Sequence, residues 1–448
     1  MPTPIFPKNF YWGTSTAGHQ VEGGLHDDWT VWELAHAKEL AQSATRKLSH
    51  LSNWPDIRAQ ATDPNNYVSG RGVDHYNRYE EDFDIITKLN MNAFRFSIEW
   101  SRLEPEEGNW DEEAVEYYRV YLKKLQEQGI EPFLNIWHWT VPIWFQDKGA
   151  FTKRSNNKYF LRFVQKISDE YGSRLSHIIT LNEPNVYFSL GYITATRPPQ
   201  EKSLIKGTMS YWNLHNAHKG AYKILKTAHP HLQIGIAQQL GNIQAKRPHD
   251  VIDESVTKIM RYVWNWWFLR RIRNQQDFVG INYYFTDYYQ HTKIRDPKIP
   301  LNDLGWYMEP EGVYPLLLRA WTRYKKPIII TENGVADAHD QYRRWWIEET
   351  VVAMERALSE GVDLRGYFHW SLLDNFEWES GYWPKFGLVE VDREHGMKRT
   401  IRPSAKWFGE LIKQLRWSFL LSYIVDTVQS LCYNAKYGKK SNYSRSRK

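Results

Sequence analysis

Two hydrophobic periods take turns along this chain. Short runs in which apolar and polar residues alternate, or apolar β-formers cluster, predict strands; longer stretches with apolar positions three and four apart predict helices. The strands fall at 10–17, 93–100, 132–139, 178–182, 233–238, 278–284, 327–332 and 364–371. Between them the period lengthens, and helices are predicted at 74–89, 112–128, 159–171, 212–228, 251–273, 312–324, 341–359 and 404–415. The second of these is the clearest: Ala114, Tyr118, Tyr121, Leu122 and Leu125 form one stripe, and Gly129 stops it. Irregular chain is expected at 38–71, 195–207, 241–250, 290–311 and 375–385, where long loops could wall a pocket.

Eight strand–helix units predict the α/β class, as a single (β/α)8 TIM barrel with its active site at the C-terminal ends of the strands. A doubly wound open sheet is the alternative. It would want a glycine-rich phosphate turn after an early strand, and none is present.

Two of the strands end in a carboxylate. Ile178-Ile-Thr-Leu-Asn-Glu-Pro184 runs into Glu183 and stops at proline, which donates no ladder hydrogen bond and should force Glu183 into extended backbone. Pro327-Ile-Ile-Ile-Thr-Glu-Asn-Gly334 runs into Glu332, with Asn333-Gly334 read as the turn. Polar and aromatic residues gather at the same predicted ends: Arg95, His138, Asn182, Asn282, Tyr284 and Trp370. Paired carboxyl groups at strand tips are the parts of a glycoside hydrolase.

Composition adds aromatic residues: the chain has 22 Trp and 28 Tyr. Such rings stack on the C–H faces of sugars, although a Trp-rich core gives the same count. The formal charge of +6 equals that of residues 427–448, which carry six Lys and Arg and no acid, so residues 1–426 are neutral and call for no nucleic acid. The lone Cys432 excludes an internal disulfide and points to a reducing compartment, the cytoplasm. No secretory leader and no membrane-length apolar run is seen.

The motifs resemble glycoside hydrolase family 1, the β-glucosidase family. Thr180-Leu-Asn-Glu-Pro184 and Ile330-Thr-Glu-Asn-Gly334 are similar to its two signatures. Further segments follow in the same order: His19-Gln-Val-Glu-Gly23, Phe94-Arg-Phe-Ser-Ile-Glu-Trp-Ser-Arg102, Trp137-His-Trp-Thr-Val-Pro142, Gly280-Ile-Asn-Tyr-Tyr284 and Gly366-Tyr-Phe-His-Trp-Ser-Leu-Leu-Asp-Asn-Phe-Glu-Trp378. The resemblance covers roughly residues 5–412. It implies one eight-stranded barrel, a retaining β-glycosidase acting on terminal β-D-glucosyl residues, or also galactosyl or fucosyl ones, and no cofactor or metal.

By that resemblance Glu332 is the nucleophile and Glu183 the acid/base. Gln20, His138, Asn182, Glu377 and Trp378 hold the glycone hydroxyls, and Trp370 lies under the ring. Arg95, Asn282 and Tyr284 surround the nucleophile, and Trp306 walls the aglycone side. The chain departs from the family at 38–71, which is long, and at Gly191-Tyr-Ile-Thr-Ala-Thr-Arg197, which lacks a second glycine. Residues 416–448 have no counterpart, and their last part is expected to be disordered.

Other readings stay open beside this one. A 6-phospho-β-glycosidase is disfavoured by Glu377, whose charge repels a phosphate. A non-catalytic carbohydrate-binding barrel predicts loss of one glutamate, and both are present. Trp264, Trp266 and Trp267 are read as packing against the barrel wall rather than as a sugar platform. No histidine cluster has metal-ligand spacing. The expected partner is a small β-glycoside or oligosaccharide; the oligomeric state is not legible.

Overall fold

The computed structural model describes residues 6–294 and 299–416. Eight parallel strands close into one barrel: β1 (Tyr11–Ser15), β2 (Ala93–Ser97), β3 (Glu131–Asn135), β4 (His177–Asn182), β5 (Gln233–Gln239), β6 (Val279–Tyr283), β7 (Ile328–Asn333) and β8 (Leu364–Trp370). Each neighbours the next, and β8 pairs with β1. The open-sheet alternative is therefore excluded.

Alternation along each strand explains both the core and the site. Ala93, Phe133, Ile179, Ala237, Ile329 and Phe368 make one buried cluster with Phe278, and they fill the barrel interior towards its lower end. Two residues further along their strands stand Arg95 and, one strand over, the polar tips described below. Phe94, Phe96, Leu134 and Ile178, at the intervening positions, join the larger cluster between sheet and helices. Period two thus puts an apolar plug below and a polar layer above.

The helices form where periodicity and caps agree. Asp111 accepts from the backbone N–H of Glu113 and Ala114, starting Glu112–Glu127, and the predicted stripe is buried. Helix Leu204–Ala228 begins eight residues before the expected start. Ser203 caps it by accepting from Lys206, and its first two turns leave Leu204, Ile205 and Met209 exposed, which hides the periodicity.

The stretch 38–71 is not irregular. It continues a helix, Asp28–Leu48, that the pattern missed, followed by Trp54–Ala61. The start signal is a capping box between Asp27 and Thr30, and Trp29, Trp32, Ala37, Ala41 and Ala44 face inward at helical spacing. Likewise 241–250 contains the strand Asn242–Ala245, which pairs with Thr286–Gln290 above the barrel. The predicted helix 251–273 is present but interrupted: Val251–Met260 passes through a π-turn, Arg261–Trp266, into Trp267–Ile272. The last helix spans 403–416. The expectations for 417–448 lie outside the described residues.

Candidate active site

Both signature strands break register just before their glutamates. The pairing of β4 with β5 shifts between Ile179 and Asn182. That of β7 with β6 shifts between Ile330 and Glu332. Such irregularities re-aim side chains. They bring Glu183 and Glu332 to the wall of one cavity of about 330 Å³.

Glu183 is not extended, as the following proline led one to expect. It is left-handed, with φ 46° and ψ 57°. Proline excludes the right-handed helix for its predecessor but begins the next helix well, because its missing N–H is unneeded there. The chain therefore turns from β4 into the helix Pro184–Phe188 in a single residue. Two bonds hold the turn: the Glu183 N–H donates to the Ala237 carbonyl at 2.7 Å, and Asn282 Nδ2 donates to Glu183 Oε1 at 2.8 Å. Thr331 in turn donates to Asn282 Oδ1 at 2.6 Å, a contribution the sequence reading missed.

Glu332 is 3% exposed, and both its oxygens are engaged. Arg95 Nη1 donates to Oε1 at 2.5 Å and the Tyr284 hydroxyl to Oε2 at 2.6 Å. The other arm of Arg95 donates to Asn182 Oδ1 at 2.6 Å, and Asn182 Nδ2 contacts His138 Nε2 at 3.0 Å. Arg95, Asn182 and Asn282 thus form a buried girder beneath the cavity and are not part of its lining. Burial, and then Glu332's charge, push the Glu183 carboxyl up to about 8. Burial, helped by Arg95, holds His138 well below the usual imidazole range, so its ring is neutral.

Glu377, Trp378, Trp370, His138 and Trp306 also line the cavity. Burial pushes Glu377 up to about 8, against a pull down from Arg197. Gln20 does not reach the lining. It sits behind Glu377, donating to the Phe376 carbonyl at 2.7 Å and lying 3.5 Å from Glu377 Oε2. Its neighbour His19 stacks on Trp378 with rings 5.6 Å apart and is held by Asp27 at 2.9 Å.

Several lining residues were not foreseen. Arg197 bridges the loops after β4 and β8 through Glu379 at 2.5 Å, and its guanidinium lies 4.8 Å over the Trp139 ring. Trp264 lines the cavity together with Gln239, which corrects its reading as wall packing; Trp266 alone of that trio is fully buried. The π-turn supplied the rotation that a regular helical period could not predict. Gly334 does not act as a turn residue with positive φ. A Cβ there would come within 1.9 Å of the Trp370 carbonyl, so the position needs close approach between β7 and β8.

Among the described residues, Asp250, Asp253 and His291 are one group that could hold a metal. Arg247 already fills it, bonding Asp253 at 2.9 Å and contacting His291 at 2.7 Å.

Comparison with known proteins agrees with this geometry. The family model described as "Glycosyl hydrolase family 1" matches residues 3–271 and 268–416. The chain is 30% identical to a 1,4-beta-D-glucan glucohydrolase of Thermotoga neapolitana over 91% of this chain and 98% of that one. It is 30% identical to a beta-galactosidase of Sulfolobus acidocaldarius, covering 91% and 95%. Among solved structures, a beta-glycosidase from Pyrococcus horikoshii superposes with a TM-score of 0.81 at 32% identity, covering 92% of this chain and 96% of that one. A beta-glucosidase from Thermotoga maritima in complex with glucoimidazole gives 0.79 at 28%, covering 92% and 99%.

Proposed function

The chain belongs to glycosyl hydrolase family 1, and on that premise we infer a retaining β-glycosidase that removes terminal β-D-glucosyl residues by double displacement. Glu332 is the nucleophile in this reading and Glu183 the acid/base. The observation that carries the assignment is their pairing. One carboxylate has each oxygen met by a charged or phenolic donor, while its neighbour in the same cavity is pushed up to about 8 by burial and that charge.

The chemistry follows. Glu332 attacks the anomeric carbon as the glycosidic C–O bond breaks, and the Glu183 proton goes to the leaving oxygen. The resulting glycosyl ester carries no charge at Glu332, so the acidity of Glu183 increases. As a carboxylate it takes a proton from water, which attacks the ester and frees Glu332. Tyr284 and Arg95 support the nucleophile, and Asn282 orients the acid. His138, Asn182 and Gln20 organise the glycone wall with Glu377 and Trp378. Trp370 lies under the sugar ring, and Trp306 faces the leaving group.

The substrate is a small β-glycoside or oligosaccharide. We place the enzyme in the cytoplasm, on its lone cysteine. No helix among the described residues is long and apolar enough to cross a membrane. Residues 1–415 hold the catalytic unit, and a chain ending at Gln414 should keep its activity.

The test is a panel of aryl β-glycosides assayed side by side: gluco, galacto, fuco, manno and 6-phospho-gluco. Turnover of the glucoside with retained configuration is expected. Turnover of the 6-phospho-glucoside alone would overturn the reading in favour of a phosphoglycosidase.

A further inference from the structure

The stretch 38–71, where the chain departs from the family by its length, ends against the loop that carries Glu377 and Trp378. That loop is a tight turn. The Glu377 N–H donates to the Gly381 carbonyl at 2.6 Å, and the Gly381 N–H to the Trp378 carbonyl at 2.9 Å. Trp378 is left-handed, with φ 51°, and Gly381 has φ 71° and ψ −139°, a region nearly closed to other residues. Backbone of this kind persists only where its surroundings over-determine it.

Asn66 supplies much of that constraint. It is buried, and it touches both sides of Gly381. Its Nδ2 donates to the Ser380 carbonyl at 3.0 Å, and its Oδ1 accepts from the Tyr382 N–H at 2.9 Å. One amide group thus serves as donor and acceptor, which neither a carboxylate nor an apolar side chain can do. Gly381 has no room for a side chain, because a Cβ there would strike the Asn66 carbonyl. The Tyr382 hydroxyl donates to the Ser69 carbonyl at 2.6 Å. The strap is itself tied down: Ser69 donates through N–H and Oγ to Glu33 Oε1, at 2.9 and 2.6 Å, and Glu33 is buried on the helix Asp28–Leu48. Trp383 packs against the same segment, in a cluster with Ala44, Leu51, Ile57 and Ala61. Asn66 does not line the cavity, whereas Glu377 and Trp378 do.

Resting on the function proposed above, we propose that Asn66 is a positioning residue for Glu377. The strap at 62–69 fixes the turn 377–381 and with it the place of the Glu377 carboxyl in the cavity wall. A segment outside the family pattern then governs how well the glycone hydroxyls are held, without touching the sugar.

The experiment is a double-mutant cycle on p-nitrophenyl β-glucoside, with Asn66→Ala introduced into the unmodified protein and into Glu377→Ala. The methyl group neither donates nor accepts. In the unmodified protein the substitution should lower kcat/KM about tenfold, within what a misplacement of under ~1 Å produces. In Glu377→Ala it should cost about twofold or less, because the group it positions is already gone. Equal losses in the two backgrounds, the result of a merely structural role, overturn the proposal, and so does no loss in the first. If Asn66→Ala gives no cooperative thermal transition, Tyr382→Phe replaces it in the same two backgrounds, since it removes only the bond to Ser69. A loss of about threefold in the first background and none in the second is expected, and equal losses again overturn the proposal. Failure of the unmodified protein to cleave the aryl glucoside would instead sink the proposed function.

Discussion

Arg95 Nη1 lies 2.5 Å from Glu332 Oε1, and both side chains are buried, at 0% and 4% exposure. A buried pair of this kind is strongly destabilised when one partner is removed, because the other charge is left without compensation. It fixes one carboxylate of the site as an anion with a set orientation, and the rest of the cavity is arranged around that anion.

Replacing Glu332 with Gly should abolish turnover. Added azide or formate should fill the space and restore release of an activated aryl leaving group, now with inverted product. Proton NMR of the product anomer reads this directly. Near-full activity without an added anion would remove Glu332 from the nucleophile's place.

The Glu183 carboxyl is raised to about 8, so it is protonated and able to donate below that pH and loses its proton above it. The kcat/KM profile should therefore have an alkaline limb near pH 8. Glu183→Gln should flatten that limb, with the larger loss on poor leaving groups that need protonation. With a dinitrophenyl glucoside the glycosyl intermediate should accumulate, because no base activates water. An intact limb with equal losses on both substrates would mean that another group is the acid.

Arg197 lowers the Glu183 pKa, though less than burial and Glu332 raise it. Removing the cation in Arg197→Met should move the alkaline limb upward, by about one pH unit or less. An unmoved limb would show that the charge of Arg197 is not felt at the acid.

Glu377 is pushed up to about 8 in the folded protein from an ordinary value of 4.5. Between those two values the folded state keeps a proton that the unfolded state releases, so stability falls as pH rises through that window. Glu377→Gln removes this term. Its melting temperature should gain on the unmodified protein between pH 5 and pH 9, while its activity on glucosides falls because the amide nitrogen cannot accept a hydroxyl hydrogen bond where a carboxyl oxygen can. A constant difference in melting temperature across that range would contradict the burial argument.

Gly334→Ala would drive a Cβ into the Trp370 carbonyl, 1.9 Å away on an unmoved backbone. The strands must part, at a cost of about 1–3 kcal/mol. Because Glu332 lies two residues upstream and Trp370 lines the cavity, activity should fall together with stability. Denaturant unfolding and kcat/KM on one preparation check both, and a fully active variant of unchanged stability would show that the contact is not tight.

Local rules were enough for much of this protein. Alternating or clustered apolar residues mark all eight strands, and period 3.6 marks most of the helices between them, because burial of a face leaves its period in the sequence. A strand running into a glutamate is a local pattern as well, and the motifs around Glu183 and Glu332 carry the family. Even the overlooked helix Asp28–Leu48 announces itself locally, through Asp27 and Thr30.

Only the tertiary structure decided the rest, because it depends on relations between strands. The register shifts before Asn182 and Glu332 arise from pairing with β5 and β6, which no single strand records. The left-handed turn at Glu183 is held by a carbonyl 54 residues away in sequence, that of Ala237. Gly334 looks like a turn residue in the sequence and proves to be a close approach to β8. Trp264 shares a helix with two packing tryptophans, and a π-turn anchored by Asn185 and Gln238 brings it to the cavity. Periodicity says which face of an element is buried. Contacts between distant residues set where a strand slips and where a helix widens.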